Sequence, residues 1–425
     1  MTGGGAGDGI PASLPFRFPL SPVRPMPKHP TIVEIKAFAI KNEMVGATYM
    51  ESFNRTPTKA RRAPWTKDQE VAGPMSRYPR FKRMRTLWRP NFPSVACIVR
   101  ASDGSWGFGV SRYGQPVIDI INDHLAPLLI GENAFAIDRL WDMMMRAASP
   151  YSAAGIASYA ISAVDLALWD LKGKILDVPV YELAGGPARE RQFCYATGND
   201  TDWHMELGFK ATKLACPYGV ADGLDAINRN EELVAKTRQE IGRDVELMLD
   251  CWMAYDVEFG VRMAERLRPY GLKWIEDCLT PEDLLSHEAL RARLPWQTLA
   301  TGEHWYVPQT FAYAAAKRVA DIFQPDIAWA CGFTGCMRIA HLAEAAGIPV
   351  ILHAGMNTPY GQHFSFAMPN VQWGEYFVGG GPGVPLIETI VFPGMRVPEN
   401  GWLTPNDAPG FGLELTDAVI DRLRA

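Results

Sequence analysis

The sequence predicts an α/β fold whose larger part is a (βα) barrel, and three observations carry that prediction. Five short apolar runs each end on an ionisable residue: Val245–Asp250, Lys273–Glu276, Leu299–Glu303, Ile322–Asp326 and Pro349–His353. These end residues follow one another at spacings of 26, 27, 23 and 27 residues, room each time for a strand, a loop, a helix and a return. The runs lack strict alternation, as strands covered on both faces do, and the stretches between them, such as Val257–Leu267 and Gly335–Gly347, are helical in pattern. Strand C-termini of a barrel share one mouth, which would gather Asp250, Glu276, Glu303, Asp326 and His353.

The other elements follow in order. Residues 1–28, with Gly3-Gly-Gly and repeated prolines, have little to fold around and read as a flexible lead. Thr31–Ala37 and Ser94–Ala101 are strand-like, and Asp103-Gly104 then marks a turn into Trp106-Gly-Phe-Gly-Val, which predicts an antiparallel hairpin or meander. Between them residues 43–92 form a long insert rich in Arg, Lys, Pro and aromatics, a segment of the kind that closes over a site. Helical patterns run over Pro116–Arg146 and Ser158–Leu176, the second apolar on nearly every side and therefore expected between domains. Barrel strands begin at Phe193–Thr197 and Phe209–Lys213, continue through the five runs, and end with an eighth at Val371–Phe377. The expected division is a first domain over 29–165, a barrel over 166–383 and a return to the first domain over 384–425.

With 425 residues and 48% hydrophobic content, the chain can bury a large core across two domains. A net charge of −5 with dispersed signs argues against nucleic acid, and the locally basic run Arg77–Arg89 suits a solvated loop or a small anion. Seven scattered cysteines suit reduced, buried thiols in the cytoplasm, and no apolar run is long enough to span a bilayer.

Asp250, Glu276 and Glu303 offer three oxygen donors from successive units, a set that suits a hard divalent cation such as Mg²⁺. One carboxylate at a strand end is ordinarily a loop cap or an ion-pair partner; three in consecutive units would repel one another without a cation. Asp326 and His353, again one unit apart, suit a dyad in which the carboxylate orients an imidazole base. A lone histidine ending an apolar strand is more often a satisfied core group, and the carboxylate one unit earlier shifts that balance. Glu375 and His304 are further candidates for contacts to developing negative charge.

On these residues the chain from about position 31 onward resembles the enolase superfamily and, within it, the mandelate racemase subgroup. The resemblance implies a (β/α)7β barrel under an α+β capping domain built from both chain ends, Mg²⁺ on Asp250, Glu276 and Glu303, a His353 and Asp326 dyad, and Glu375 on the last strand. It implies removal of a proton beside a carboxylate group, which the metal makes possible by stabilising the resulting charge. Subgroup members with a second base carry Lys-x-Lys on the second strand; here the stretch is Lys213-Leu-Ala215, which leaves Lys213 as an electrostatic or substrate contact and disfavours a two-base epimerase.

Tyr195-Ala-Thr-Gly, Leu249-Asp-Cys-Trp-Met, Gly302-Glu-His304, Gln324–Trp329 and Pro74–Tyr78 are similar to the acid-sugar dehydratases of the subgroup. The implied reaction is elimination of water from an aldonate such as L-rhamnonate, L-lyxonate or L-mannonate to give a 2-keto-3-deoxy acid. The implied assembly is a homo-oligomer, an octamer or smaller. A racemase or epimerase of a 2-hydroxy acid is the competing enzyme reading, and a non-catalytic sugar-acid-binding barrel is the competing reading outside catalysis.

Overall fold

Residues 1–3, 29–40, 71–82, 85–88, 90–390 and 394–423 are described by the structure, a computed structural model. Most of the expected flexible lead and much of the insert, including residues 43–70, lie outside these residues.

Strands β1 (Ile32–Ile40), β2 (Ser94–Ala101) and β3 (Trp106–Ser111) pair antiparallel in that order, as the turn at Asp103-Gly104 predicts. A helix at Ile156–Leu176 crosses β3 closely, and the two glycines of Trp106-Gly-Phe-Gly explain how. A Cβ at Gly107 or Gly109 would lie 2.0 Å from the carbonyl oxygen of Ala167 or Ala163, so only glycine permits the approach. The helix is buried on almost all sides, as its composition predicts, and the expected boundary at 165/166 falls inside it. Asp170 on this helix accepts the Phe108 N–H at 2.9 Å and the Phe411 N–H at 3.0 Å, and so ties β3 and the C-terminal segment to one carboxylate.

The stretch Pro116–Arg146 is helical but not continuous. Helix Ile137–Ala148 is separated from the earlier turns by residues 130–136, where Gly131 has φ +87°. The interruption has a use: Glu132 O accepts the Ile32 N–H and Pro30 O accepts the Ala134 N–H, pinning the loop to the entry of β1.

The larger sheet is parallel and curls in chain order through β4 (Gln192–Thr197), β5 (Ala211–Ala215), β6 (Glu246–Asp250), β7 (Ile275–Glu276), β8 (Leu299–Thr301) and β9 (Ile322–Phe323). It returns through β10 (Trp373–Phe377), which pairs parallel with β4. The seventh position is the run Pro349–His353, present as a bridge: Ile351 N–H donates to Phe323 O at 2.9 Å and Val350 N–H to Asn370 O at 3.1 Å, while Pro349 has no N–H to give. A short β11 (Trp402–Leu403) adds antiparallel to β4, an edge pairing that no expectation anticipated. Beyond it, Ile420 and Leu423 share a core with Ile40, Ala96 and Ile98 of the small sheet.

One residue from each barrel position fills the interior. Tyr195, Ala211, Met248, Trp274, Ala300, Ile322 and Ile351 form one buried cluster with Phe193 and Trp373 packed on it. Side chains two residues apart on a strand share a face, so the residues two beyond this floor point to the same mouth: Thr197, Lys213, Asp250, Glu276, Gln324, His353 and Glu375. This parity is why chemistry collects at one end of the sheet.

All seven cysteines are free and buried. Among the described residues, no helix is long and apolar enough to cross a membrane.

Candidate active site

His353 and Asp326 meet, Nδ1 to Oδ2 at 2.8 Å, and the other Asp326 oxygen accepts the Ala328 N–H at 2.7 Å. With both oxygens engaged, the carboxylate has one orientation and imposes one on the imidazole. The ring lies 4.7 Å from that of Trp329, and its Nε2 is 3.3 Å from Glu303 Oε2. Burial works against the imidazolium, but Glu303 and Asp326 outweigh it and push His353 up to about 10.

Lys213 is fully buried between two carboxylates, in contact with Glu276 Oε1 and 2.8 Å from Glu375 Oε1. Glu375 also accepts from Thr197 Oγ1 at 2.5 Å and from the Ala354 N–H at 2.8 Å. Its burial would raise the carboxyl, yet Lys213 and His353 prevail and hold it down at about 2. Glu276 differs: burial dominates and lifts it to about 7 despite Lys213, while its Oε2 accepts from Trp274 Nε1 at 2.9 Å and Gln324 Nε2 at 2.7 Å.

Asp250 ends β6 and accepts the N–H of Trp252 at 2.9 Å; burial raises it to about 6, with Glu303 and Asp277 adding repulsion and Lys213 opposing. Glu303, also raised by burial, accepts from Trp252 Nε1 at 3.1 Å. It follows Gly302, whose φ of +126° is open to glycine and strained for other residues. His304 lies between Glu303 Oε1 at 3.1 Å and Asp277 Oδ2 at 3.6 Å, and these neighbours raise its pKa against burial.

The expected carboxylate trio therefore shares a mouth without closing on one point. Among the described residues, the ligand atoms that come within 4.8 Å of one another are those of Asp277, Glu303 and His304. In this arrangement Glu276 is held by Lys213, Trp274 and Gln324, and Asp250 and Glu303 by the two N–H groups of Trp252. A cation still fits the chemistry of the mouth. Among the described residues, Asp250, Glu276, Asp277, Glu303, Asp326 and Glu375 gather with Lys213, His304 and His353, and burial, which raises Asp250, Glu276 and Glu303, disfavours charge on oxygen donors that a cation would stabilise.

Sequence reasoning did not single out Thr197, Gln324, Asp277, Trp252 or Trp329. Counting two residues beyond each floor position would have found Thr197 and Gln324. Asp277 escapes that rule because its φ of +51° turns it out of strand alternation, and Trp252 at φ +39° does the same. The insert's described part packs here, with the Arg85 guanidinium 3.5 Å from the Trp252 ring centroid and Trp88 stacked on the same indole at 5.8 Å.

Comparison with known proteins bears on this geometry. Residues 201–419 match the model of the enolase C-terminal domain-like family, and residues 84–185 that of the mandelate racemase / muconate lactonizing enzyme N-terminal domain. The chain belongs to the enolase superfamily. The expected resemblance and the capped, TIM-like α/β architecture both hold.

An L-rhamnonate dehydratase of Saccharopolyspora erythraea is 37% identical over 357 residues, which cover 83% of this chain and 91% of that protein. The crystal structure of L-rhamnonate dehydratase from Gibberella zeae is 31% identical with TM-score 0.83 and covers 95% of this chain and 97% of its own. A second structure of the Gibberella zeae enzyme, complexed with Mg, is likewise 31% identical with TM-score 0.84, over 94% of this chain and 97% of its own. Along the barrel, Asp250 and Glu276 end β6 and β7, Glu303 and Asp326 lie two and three residues beyond β8 and β9, His353 ends the run that bridges to Phe323, and Glu375 lies within β10.

Proposed function

We propose that this superfamily member is a Mg²⁺-dependent acid-sugar dehydratase acting on an L-rhamnonate-like aldonate, L-rhamnonate itself or L-lyxonate or L-mannonate. The observation that carries the reading is the His353 and Asp326 pair, 2.8 Å apart, facing a cluster of buried carboxylates. The relatives named L-rhamnonate dehydratase support the substrate class.

Asp250, Glu276 and Glu303 would hold the cation, which when bound supplies positive charge against the negative charge that a substrate carboxylate gains on loss of its neighbouring proton. His353, oriented by Asp326, would remove the C2 proton once the negative charge on Glu303 that keeps the ring protonated is offset by a cation held there, and the freed electron pair moves into the carboxyl group. The pair then returns and expels the C3 hydroxyl, to which His353 gives its proton, so that water leaves. The resulting enol takes a proton at C3 and becomes the 2-keto-3-deoxy acid. Glu375, fixed by Lys213, Thr197 and the Ala354 N–H, holds negative charge near the imidazole and favours its proton-carrying form. Lys213 acts through Glu276 and Glu375, and His304 is a polar contact at the rim.

Among the described residues, one side of the mouth carries a base. The position two beyond Lys213 is Ala215, which removes the partner that reprotonation on the opposite face needs. Incubation of the purified protein with a panel of aldonates and Mg²⁺, read for 2-keto-3-deoxy acid, tests the reading. Product from an L-rhamnonate-like member supports it; inversion at C2 without keto acid favours an epimerase, and binding without turnover a sugar-acid binder.

The reading extends to a cytoplasmic homo-oligomer, an octamer or smaller. Exposed apolar side chains such as Val33, Leu128 and Ile130 are surface that contact between copies would cover, and light scattering measures the subunit number.

A further inference from the structure

Trp252 stands between two of the candidate cation-holding carboxylates and the insert that packs over the mouth. Its two N–H groups are both spent on those carboxylates: the backbone donates to Asp250 Oδ1 at 2.9 Å and the indole donates to Glu303 Oε1 at 3.1 Å. It does so at φ +39°, a left-handed conformation that a bulky side chain adopts at a cost, so the surrounding contacts hold the indole there.

Those contacts come from the insert. The Arg85 guanidinium lies 3.5 Å from the indole centroid, and Trp88 stacks on it at 5.8 Å. Gly73 approaches so closely that a Cβ would sit 2.7 Å from both Cε3 and Cζ3 of Trp252. With φ −174° Gly73 is in ordinary extended backbone, so the indole, not the chain conformation, accounts for its missing side chain. The same segment is anchored to the barrel independently: the Ala72 N–H donates to Cys216 O at 2.9 Å, and Lys82 pairs with Asp222 at 2.6 Å.

We infer that Trp252 is a positioning residue that couples the seating of Gly73, Arg85 and Trp88 to the orientation of Asp250 and Glu303, so that the cation-holding mouth is complete only when this part of the insert is docked. The inference rests on the proposed reading of those carboxylates. A tryptophan that merely filled space would pack equally well without directing both of its N–H groups at carboxylates. Because coupling between two sites is reciprocal, cation binding in turn favours the docked insert.

The test is calorimetric titration of Mg²⁺ into the wild-type protein and the variants W252F, G73A and W252F/G73A, without substrate. W252F keeps the aromatic stack and removes the indole donor; the expected loss of Mg²⁺ affinity is roughly 10-fold to 100-fold, as for other groups that orient metal ligands. G73A touches neither carboxylate, yet its methyl displaces the indole, and a several-fold loss is expected. The double variant should bind no more weakly than W252F, since both changes act through one contact. Wild-type affinity in both single variants overturns the inference whatever their melting temperatures, and G73A decides alone if W252F fails to fold. A wild-type protein that binds no Mg²⁺ brings down the cation reading and this inference together; one that binds Mg²⁺ while both single variants match it brings down only this one.

Discussion

His353 Nδ1 lies 2.8 Å from Asp326 Oδ2, and the second oxygen of that carboxylate is held by the Ala328 N–H, so the imidazole is set by a group that is itself immobile. Replacing Asp326 with Asn preserves the shape and removes the charge that orients the ring and stabilises its protonated form. The expected result of Asp326→Asn is a fall in kcat of about 10²- to 10⁴-fold with a much smaller change in KM, measured by steady-state production of the keto acid. An unchanged kcat would mean that the pair does not serve the base.

Among the described residues Lys213 is the only lysine in the mouth, and it lies between Glu276 and Glu375. Lys213→Met leaves two buried carboxylates facing each other without their cation. Breaking a buried pair from one side costs about 3–5 kcal/mol, and a marked drop in the midpoint of denaturant unfolding is expected. Wild-type stability in this variant would show that the two carboxylates have another source of compensation.

The chemistry of the mouth was legible because barrel strands impose a period of two and a repeat of 23 to 27 residues. Asp326 and His353 could be paired from spacing alone, whereas Lys213 stood out only through the resemblance, and its partners Glu276 and Glu375 lie two strands away on either side. What escaped is what breaks the period. Asp277 and Trp252 turn at positive φ, and no composition signal marks a tryptophan as the group that orients two carboxylates. The insert stood out by its Arg, Pro and aromatic content, but its docking on Trp252 depends on the missing side chain at Gly73, which reads in sequence as an ordinary turn residue. The two-residue β11 is too short to carry a pattern, and the break at Gly131 lies inside a stretch whose apolar spacing stays helical on both sides.

Asp165 offers a test away from the mouth. It is fully buried where helix Ile156–Leu176 meets helix Gly332–Ala345, and its Oδ2 accepts the Thr334 N–H at 2.9 Å. Burial pushes its carboxyl up to about 7, with the Thr334 hydrogen bonds opposing. Since the folded value lies above the unfolded one of about 4, its contribution to stability is complete below that lower value and is lost as pH rises to about 7. The stability of wild type relative to Asp165→Asn should therefore fall by on the order of a few kcal/mol between pH 4 and 8. A difference independent of pH would show that Asp165 titrates as an exposed aspartate does.

The seven buried thiols give a simpler check. Ellman's reagent should modify the native protein slowly and all seven cysteines rapidly once the chain is unfolded. Fast reaction of one or more thiols in the native protein would place a cysteine at the surface.

The most direct measurement is proton NMR of L-rhamnonate with Mg²⁺ in D₂O, comparing wild type with His353→Asn. With His353 as the base at C2, the wild type converts the substrate to a 2-keto-3-deoxy acid carrying solvent deuterium at C3, and the variant forms product at least 10²-fold more slowly. Equal rates in the two proteins, or deuterium at an inverted C2 with no keto acid formed, would contradict it.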